Sequence, residues 1–266
     1  MSGRAAIGVF GGSGFGQFLE GADEVRVETP HGDPSDRIRI AEIGGVPVAF
    51  LPRHGRGHDL PPHRIPYRAN LWAMRELGVE RILAPCAAGS LDPGLPPGAF
   101  CVVDQFVDRT SGRVHTFHDG PGATHISTAD PYCPHLRQAV LAAGREIGAD
   151  VRDGGTMVVV EGPRFSTRAE SRWYRQMGWQ VINMTGYPEA ALARELELCY
   201  ASIALITDYD TGVERDAGEA VTADEVVRAF RANLDVLSEL LVRTIGILPE
   251  RPADDPCRSA LAGARL

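Results

Sequence analysis

The residue types most suited to chemistry stand in two clusters, each directly after a run of apolar residues. Thr207, Asp208 and Asp210 follow one run, and Asn183 to Thr185 close the other. Ligands of open α/β sheets bind beyond the carboxyl ends of strands, so both clusters are candidate ligand contacts. Two carboxylates one residue apart are costly to bury without a partner. The pair therefore predicts a ligand that donates hydrogen bonds, such as the edge of a purine base.

A second group of residues is suited to holding an anion. Arg53 and His54 stand side by side, where a guanidinium fork and an imidazole donor favour an anion over a metal ion. The motif GGSGFG at 11–16 offers backbone N–H groups and the Ser13 hydroxyl to a phosphate, although a plain strand-to-helix turn explains it equally well. It does not match the dinucleotide fingerprint, because Gln17 stands where the third glycine is required. A dinucleotide-dependent oxidoreductase is therefore disfavoured.

Two further strand-like runs end in residues that suit a ligand site. The small residues of PCAAGS, at 85–90, allow a ligand to approach the backbone closely. Phe165 is placed to stack on a flat heterocycle, although ordinary core packing is an equally good explanation. Ser166 and Thr167 are candidates to cap the helix that follows.

The composition excludes several classes of protein. The 266 residues include no lysine, which excludes a Schiff-base lysine, a pyridoxal-phosphate anchor and a P-loop lysine. The net charge of −8 argues against a nucleic-acid-binding surface. No apolar run reaches the roughly 18 residues of a membrane span. The N-terminal segment lacks a secretory apolar region, so we expect a cytoplasmic protein with neither a nucleic-acid nor a membrane partner.

The cysteines predict no covalent or metal framework. They are odd in number, scattered along the sequence and never in CxxC spacing, so neither a disulfide framework nor a zinc cluster is expected. We expect them to be buried as small apolar side chains, and we expect no bound metal. The five are Cys86, Cys101, Cys133, Cys199 and Cys257.

Strand-like and helix-like segments alternate along most of the chain, which predicts an α/β fold. The absence of a linker or repeat predicts one domain, 1–248, followed by a polar C-terminal tail, 249–266, which is expected to be mobile. The apolar spacing predicts one strand at Phe100–Val107 and one long closing helix at Ala223–Ile247. The long segment 109–128 indicates a functional loop or an interface, with a solvated excursion as the alternative.

A set of motifs occurs in order across about residues 7–210. They are GGSGF, PRHGRGH, YRANLWA, AAGSL, DQFVDRTSGR, ADPYCP, EGPRFSTRAE, NMTGYPEAALARE and CYASIALITDYD. Together they resemble the 5'-methylthioadenosine phosphorylase branch of the trimeric purine nucleoside phosphorylase family. The resemblance implies a single domain with a central mixed β-sheet flanked by helices, assembled as a homotrimer. It also implies phosphate-dependent cleavage of 5'-methylthioadenosine to adenine and 5-methylthioribose 1-phosphate, with phosphate as co-substrate and without a metal or organic cofactor.

The resemblance also implies roles for individual residues. Asp208 is expected to donate a proton toward N7 of the leaving adenine, and Asp210 to accept from the 6-amino group; His54 completes the expected catalytic set. Cys86 departs from the Thr or Asn that is common in the family beside the phosphate. The expected phosphate site comprises Ser13, Arg53, His54, Cys86, the Ala87 backbone and Thr185, and the expected contacts with base and ribose are Phe165, Ser166 and Met184.

The resemblance determines the base better than the 5' substituent. Family members that act on 6-oxopurines carry Asn at the position of Asp208, and guanine-type members carry Glu at that of Ser166. Ala223 stands where 6-oxopurine enzymes have a His that reaches the 5'-hydroxyl, so Ala223 and Val227 favour a methylthio group, with plain helix packing as the alternative. His125 resembles a residue that a neighbouring subunit adds to the pocket.

Three other functions stay open. One is phosphorolysis of another 5'-modified adenosine, such as 5'-deoxyadenosine or a 5'-halogenated nucleoside. The second is a 6-oxopurine nucleoside phosphorylase, which Asp208 disfavours. The third is a purine-binding protein without catalysis, which would have no need of the pair Arg53 and His54.

Overall fold

A mixed β-sheet of 11 strands organises the residues that the computed structural model describes, which are 5–11, 19–211, 213 and 220–265. The strands are β1 (Ile7–Phe10), β2 (Asp23–Val25), β3 (Ile38–Ile43), β4 (Val46–Leu51), β5 (Arg81–Ser90), β6 (Phe100–Val102), β7 (Gln105–Arg109), β8 (Val151–Asp153), β9 (Thr156–Val160), β10 (Val181–Asn183) and β11 (Cys199–Tyr209). The helices of this part are α1 (Tyr67–Glu76), α2 (Pro134–Ile147), α3 (Arg168–Gln176), α4 (Gly186–Glu195), α5 (Ala223–Ala232) and α6 (Leu234–Ile247), with short 3-10 helices at Pro62–Arg64 and Pro256–Ser259. The expected α/β fold with a central mixed sheet is confirmed.

Both faces of the central strands are buried under helices. Residues of β11 alternate between the two faces, because successive side chains of a strand point in opposite directions. Tyr200 and Ala204 pack on the side of α1 and α4, whereas Ala201 and Leu205 pack on the side of α2 and α6. Burial on both faces explains why this strand is almost entirely apolar from Cys199 to Ile206, with Ser202 as the exception. None of the helices in the described residues is long and apolar enough to cross a membrane.

The central strand β5 has one continuous edge and one interrupted edge. Its first edge pairs in parallel with β11 over almost the full length of both strands. On its second edge, residues 81–83 pair in parallel with β1 and residues 89–90 pair in antiparallel fashion with β10. Among the described residues, 84–88 therefore have no strand partner on that edge. The carboxyl ends of β1, β4 and β10 border this gap, so the polar residues that follow these strands are brought toward one place.

The strand predicted at Phe100–Val107 is two strands. β6 pairs with β11 and β8, whereas β7 pairs with β9, so the chain changes neighbours between Val102 and Gln105. Asp104 lies at the change, and its carboxylate accepts the N–H of Gly155 at 3.0 Å. The prediction is wrong here because two polar residues, Asp104 and Gln105, are compatible with one continuous strand in the sequence, and the pairing shows that the chain changes neighbours there.

The helix predicted at Ala223–Ile247 is also divided. Asn233 has a non-helical backbone, with φ −111° and ψ 9°, and its side-chain amide donates to the Ala229 carbonyl at 2.9 Å. An asparagine side chain that bonds to the backbone competes with the helical pattern, and this ends α5 before α6 begins.

The C-terminal segment packs against the domain as far as residue 265, so the expectation of a mobile tail is wrong for 249–265. The Pro249 carbonyl accepts from Arg81 Nη1 at 2.6 Å, and the Leu261 N–H donates to the Glu197 carboxylate at 3.2 Å. Asp255 in this segment is buried. The domain boundary at residue 248 stays a prediction.

All five cysteines are free and buried, as expected, but three of them are not scattered in space. Cys133, Cys199 and Cys257 meet beside Asp255 at the amino end of β11. The spacing along the sequence does not reveal this cluster, because its members come from three distant parts of the chain.

Candidate active site

A buried ion pair holds the guanidinium at one end of the candidate site. Arg53 follows β4 and Glu189 lies in α4, and their side chains are 7% and 1% exposed. Nε and Nη2 of Arg53 donate to the two carboxylate oxygens of Glu189 at 2.7 Å each, and Nη1 donates to the Pro85 carbonyl at 3.2 Å. Burial on its own would lower the pKa of Arg53, but the facing carboxylate outweighs burial and raises the pKa, so the guanidinium stays charged. The remaining N–H groups of Arg53, which have no partner among the described residues, can bind an anion.

Glu189 is a site residue that the sequence analysis misses. Its carboxylate accepts a further hydrogen bond from the Tyr200 hydroxyl at 2.7 Å, so Arg53 and Tyr200 together fix it. A signal was present in the sequence, since Glu189 stands before the apolar run AALA at the start of a helix. A carboxylate on a buried helix face must be paired with a cation or with hydrogen-bond donors.

His54 is neutral and half-buried. Burial lowers the pKa of His54 to about 4, and the charge of Arg53 contributes to the lowering. Its Nδ1 lies 2.8 Å from the Leu60 carbonyl, which can only accept, so Nδ1 carries the proton and Nε2 is an acceptor. The His58 ring stacks on it at 4.3 Å. An imidazole donor to an anion does not fit this arrangement, whereas acceptance from a hydroxyl of phosphate or sugar does.

Asn183 fixes the turn after β10 beside the gap in β5. Its amide nitrogen donates to the Ala87 carbonyl at 3.1 Å, and its amide oxygen accepts the N–H groups of Thr185 and Gly186 at 2.5 and 2.6 Å. Thr185 is buried, and its hydroxyl lies 3.3 Å from the amide nitrogen of Asn183. The polar side chains after β10 are therefore held against β5.

The gap also presents a backbone donor. The Pro85 and Ala87 carbonyls both face it, because they accept from Arg53 and Asn183. The N–H and the carbonyl of one strand residue point to the same edge, so the Ala87 N–H also points into the gap. The structure thus brings together Arg53, Ala87 and Thr185 of the expected phosphate site. Their contact with phosphate stays a prediction.

Two other members of the expected phosphate site are less well placed or lie outside the described residues. Cys86 is buried with its Sγ 3.8 Å from the Ser202 hydroxyl, and burial raises the pKa of the Cys86 thiol to about 11. It is a neutral, weak hydrogen-bond donor at neutral pH. Ser13, most of the GGSGFG motif, and all of 211–220 except Thr211, Val213 and Ala220 lie outside the described residues.

Asp208 and Asp210 lie at the carboxyl end of β11, beside the last residues of β5. A bulge between Ile206 and Asp208 shifts the register at this point. The Thr207 hydroxyl donates to the Asp208 carboxylate at 2.7 Å. A Cβ at Gly89 would lie 3.1 Å from Oδ2 of Asp208 and 3.4 Å from Cβ of Asp210. The glycine of PCAAGS is therefore the residue that lets the carboxylate pair approach β5 so closely.

Burial makes both carboxyl groups of the pair hold their protons more tightly than in water. Burial, with a smaller contribution from the charge of Asp208, raises the pKa of Asp210 to about 6, although the nearby hydroxyls of Ser171 and Ser166 oppose this. Burial also raises the pKa of Asp208, and the bond from Thr207 opposes it. A carboxyl group with a raised pKa can act as an acid toward a ligand at near-neutral pH.

Three polar atoms lie close together beside this pair: Oδ2 of Asp210 and the hydroxyl oxygens of Ser166 and Ser171, all of them buried. The two hydroxyls are near enough to the Asp210 carboxylate to lower its pKa, so the three atoms interact with one another. They make no well-aligned hydrogen bond within the described part of the chain, so a polar ligand that reaches them would complete their hydrogen bonding. Ser171, which the sequence analysis does not single out, joins Ser166 at this site.

The expected base and ribose contacts lie on one wall. A Cβ at Gly162 would lie 2.6 Å from the Met184 sulfur, so the backbone of the segment that leads to Phe165 and Ser166 passes directly over Met184. The Phe165 side chain is 37% exposed, so its surface is available for stacking. The structure brings these residues together, and their contact with a nucleoside stays a prediction.

The residues expected at the 5' end lie on the first turns of α5. Ala223 and Val227 are exposed there, and α5 packs against β11. Glu225 of the same turn is close enough to Asp208 to contribute to its raised pKa. This helix end therefore faces the carboxylate pair, and the role of Ala223 and Val227 stays a prediction.

Charged residues hold the loop 109–128, among them Arg113 within the loop and Glu195 of α4. Arg113 donates to the Glu161 carboxylate at 3.0 Å and to the Glu161 carbonyl at 2.7 Å. The buried Glu195 carboxylate accepts from the Thr116 hydroxyl at 2.7 Å and from a backbone N–H one residue later. The His125 side chain is exposed, and its addition to a neighbouring subunit's pocket stays a prediction.

The chain is similar to known proteins over most of its length. The sequence pattern of the phosphorylase superfamily matches residues 6–246. The chain is 55% identical to a purine nucleoside phosphorylase of Streptomyces coelicolor, over 98% of this chain and 95% of that protein. It is also 55% identical to an S-methyl-5'-thioadenosine phosphorylase of Mycobacterium tuberculosis, over 94% of this chain and 90% of that protein. A crystal structure of a methylthioadenosine phosphorylase from an Antarctic soil metagenomic library matches with a TM-score of 0.91 and 42% identity, covering 100% of this chain and 93% of that one.

Proposed function

This chain belongs to the phosphorylase superfamily, and from that premise we propose that it cleaves the N-glycosidic bond of 5'-methylthioadenosine with phosphate. The products are adenine and 5-methylthioribose 1-phosphate. The observation that carries the proposal is the pair of the half-buried Asp208 and the buried Asp210, whose pKa values are both raised by burial at the carboxyl end of β11. A 55% identical S-methyl-5'-thioadenosine phosphorylase supports the same substrate.

In the proposed reaction, a phosphate oxygen forms a bond to C1' as the bond from C1' to N9 breaks. The electron pair of the broken bond moves into the purine, and a proton from Asp208 reaches N7, which makes adenine a better leaving group. Asp210 accepts a hydrogen bond from the 6-amino group. The charged Arg53, held by Glu189, supplies positive charge for the phosphate together with the Ala87 N–H and the Thr185 hydroxyl.

Two alternatives concern the substrate rather than the reaction. Another 5'-modified adenosine is the nearer one, because the expected contacts with the 5' substituent are Ala223 and Val227 alone. A 6-oxopurine nucleoside is the second, and the name of the Streptomyces coelicolor relative favours it. An aspartate at 208 opposes it, because the resemblance gives asparagine there in the 6-oxopurine enzymes.

Further proposals concern the co-substrate, the cofactors, the cellular location and the assembly. We expect phosphate to be a co-substrate and the reaction to need no metal or organic cofactor. Release of free adenine suits purine salvage, and the cytoplasm stays the expected location. The homotrimer rests on the resemblance, and the exposed apolar Val114 and the exposed His125 on loop 109–128 are compatible with an interface there. The molar mass in solution tests the trimer.

The experiment that tests the function is base release measured with and without phosphate. The substrates are methylthioadenosine, adenosine, 5'-deoxyadenosine and methylthioinosine. Phosphate-dependent release of adenine that is fastest from methylthioadenosine supports the proposal. Preferred release from methylthioinosine would contradict the role of the carboxylate pair, and a higher rate with 5'-deoxyadenosine would change the 5' substituent. Purine binding without release from any of the four would favour a non-catalytic binding protein.

A further inference from the structure

The cluster formed by Cys133, Cys199, Asp255 and Cys257 has the composition and geometry of a metal site. Each residue offers one ligand atom, and these atoms all lie within 4.8 Å of one another. All four side chains are nearly inaccessible, with exposures of 1%, 1%, 2% and 3% in that order. In a tetrahedral zinc site with Zn–S bonds of about 2.3 Å, the ligand atoms are about 3.8 Å apart. A change of about 1 Å or less in each distance between two ligand atoms would place all four atoms around one ion.

Hydrogen bonds hold the backbone of Cys133 and Cys257 and orient the Asp255 carboxylate toward the cluster. The Cys133 N–H donates to the Tyr200 carbonyl at 2.9 Å, which ties the start of α2 to the start of β11. One oxygen of Asp255 accepts the Cys257 N–H at 2.8 Å, and the other lies 2.9 Å from the Cys199 sulfur. The thiol of Cys199 and the carboxylate of Asp255 therefore already point at each other.

Positive charge lies beside the cluster, where it already faces the buried Asp255 carboxylate. Arg251, whose side chain is 6% exposed, donates to the Asp255 carboxylate at 3.2 Å. Arg194 Nη1 lies 3.9 Å from the Cys257 sulfur. Cys133 stands at the N-terminus of α2, where the helix dipole favours a thiolate. Three thiolates and one carboxylate around a divalent ion would leave net negative charge, which these groups balance.

We propose that Cys133, Cys199, Asp255 and Cys257 bind one zinc ion per chain. Thiolate ligands select zinc over the hard cations Mg²⁺ and Ca²⁺, and a set of four protein ligands leaves no open position for substrate. The ion is therefore structural. For this cluster, the proposal replaces the expectation from the sequence that the protein binds no metal. It joins residues 255–257 of the C-terminal segment to α2 and β11.

The site is independent of the proposed reaction. Cys199 begins β11 and Asp208 lies at its other end, nine residues later, which is a distance of about 30 Å along a strand. Loss of the ion is expected to loosen the C-terminal segment first. Failure of the zinc proposal therefore leaves the proposed function intact, and failure of the function leaves the zinc site intact.

The test is the metal content of the full-length protein, which is purified without chelators and measured by inductively coupled plasma mass spectrometry. One zinc per chain is expected, falling to almost none in Cys199→Ser and in Cys257→Ser. Cys101→Ser is the matched control, because Cys101 is an equally buried cysteine that lies outside the cluster. It should retain the zinc.

A second measurement keeps the proposal testable if the serine variants do not fold. Cobalt bound to the chelator-treated wild type should give the intense thiolate-to-cobalt charge-transfer absorption of a tetrahedral site, and added zinc should abolish it. Wild-type protein that carries no zinc and gives no such absorption would overturn the proposal. So would a disulfide between two of the three cysteines in protein purified without oxidant, or full zinc retention in the folded Cys199→Ser variant.

Discussion

Replacement of Glu189 by glutamine removes the charge that faces Arg53 and keeps the shape of the side chain. The pair is bidentate, with both bonds at 2.7 Å and both side chains buried. Removal of one partner of a buried ion pair costs about 3–5 kcal/mol, because the other charge is left uncompensated. Glutamine can still accept from the Tyr200 hydroxyl, so we expect the lower end, about 3 kcal/mol. For a chain of this size, that loss lowers the melting temperature by roughly 6–12 °C.

The assay is thermal unfolding followed by circular dichroism, with and without saturating phosphate. Phosphate bound at Arg53 would supply the negative charge that Glu189→Gln lacks, so phosphate should raise the melting temperature of the variant more than that of the wild type. Glu146→Gln is the control, because Glu146 pairs with Arg243 on the surface and their side chains are 45% and 49% exposed. Loss of such an exposed pair changes the stability by about 1 kcal/mol or less.

Two results would refute this reasoning. If Glu189→Gln melts at the same temperature as Glu146→Gln, the buried pair does not contribute as its geometry implies. If Glu189→Gln is destabilised but phosphate raises both melting temperatures equally, Arg53 is a structural residue and does not contact phosphate.

Further predictions concern the carboxylate pair. Asp208→Ala should fold normally and release adenine at a greatly reduced rate in the phosphate-dependent assay; a near-normal rate would remove Asp208 from the mechanism. Asp208→Asn should shift the preference toward 6-oxopurine nucleosides, and an unchanged ratio of rates with methylthioadenosine and methylthioinosine would contradict its role in reading the base. The pKa of Asp210 in the folded protein is about 6, above its ordinary value of 3.8. Between about pH 4 and pH 6 the folded state therefore binds a proton that the unfolded state has released. The stability that this carboxyl group confers falls as the pH rises through that range. Asp210→Asn should therefore gain stability relative to the wild type across that window, by up to about 3 kcal/mol, and keep a constant advantage above it. Urea unfolding from pH 4.5 to 7.5 measures the difference in free energy of unfolding between the variant and the wild type. A difference that does not vary with pH would show that the pKa of Asp210 is not raised.

The sequence alone determined the α/β class and the place of the carboxylate pair. The largely apolar run of β11 is local information, because a strand that is buried on both faces consists mostly of apolar residues. The polar residues after β10 and β11 are local information as well, and ligands bind at the carboxyl ends of strands in such sheets. The sequence alone therefore predicts that Asp208 and Asp210 lie together at a ligand site.

Only the tertiary structure decided which distant residues share a site. Glu189 lies 136 residues from Arg53, and no spacing along the chain predicts that pair. The gap beside Ala87 exists because β1 and β10 occupy different parts of one edge of β5, which is a property of strand order. The three cysteines of the zinc cluster meet because the C-terminal segment returns to the start of β11, which is also a property of the tertiary structure. Local propensity and periodicity fix the elements, whereas contacts between elements depend on the pairing and register of the whole sheet, which no single segment encodes.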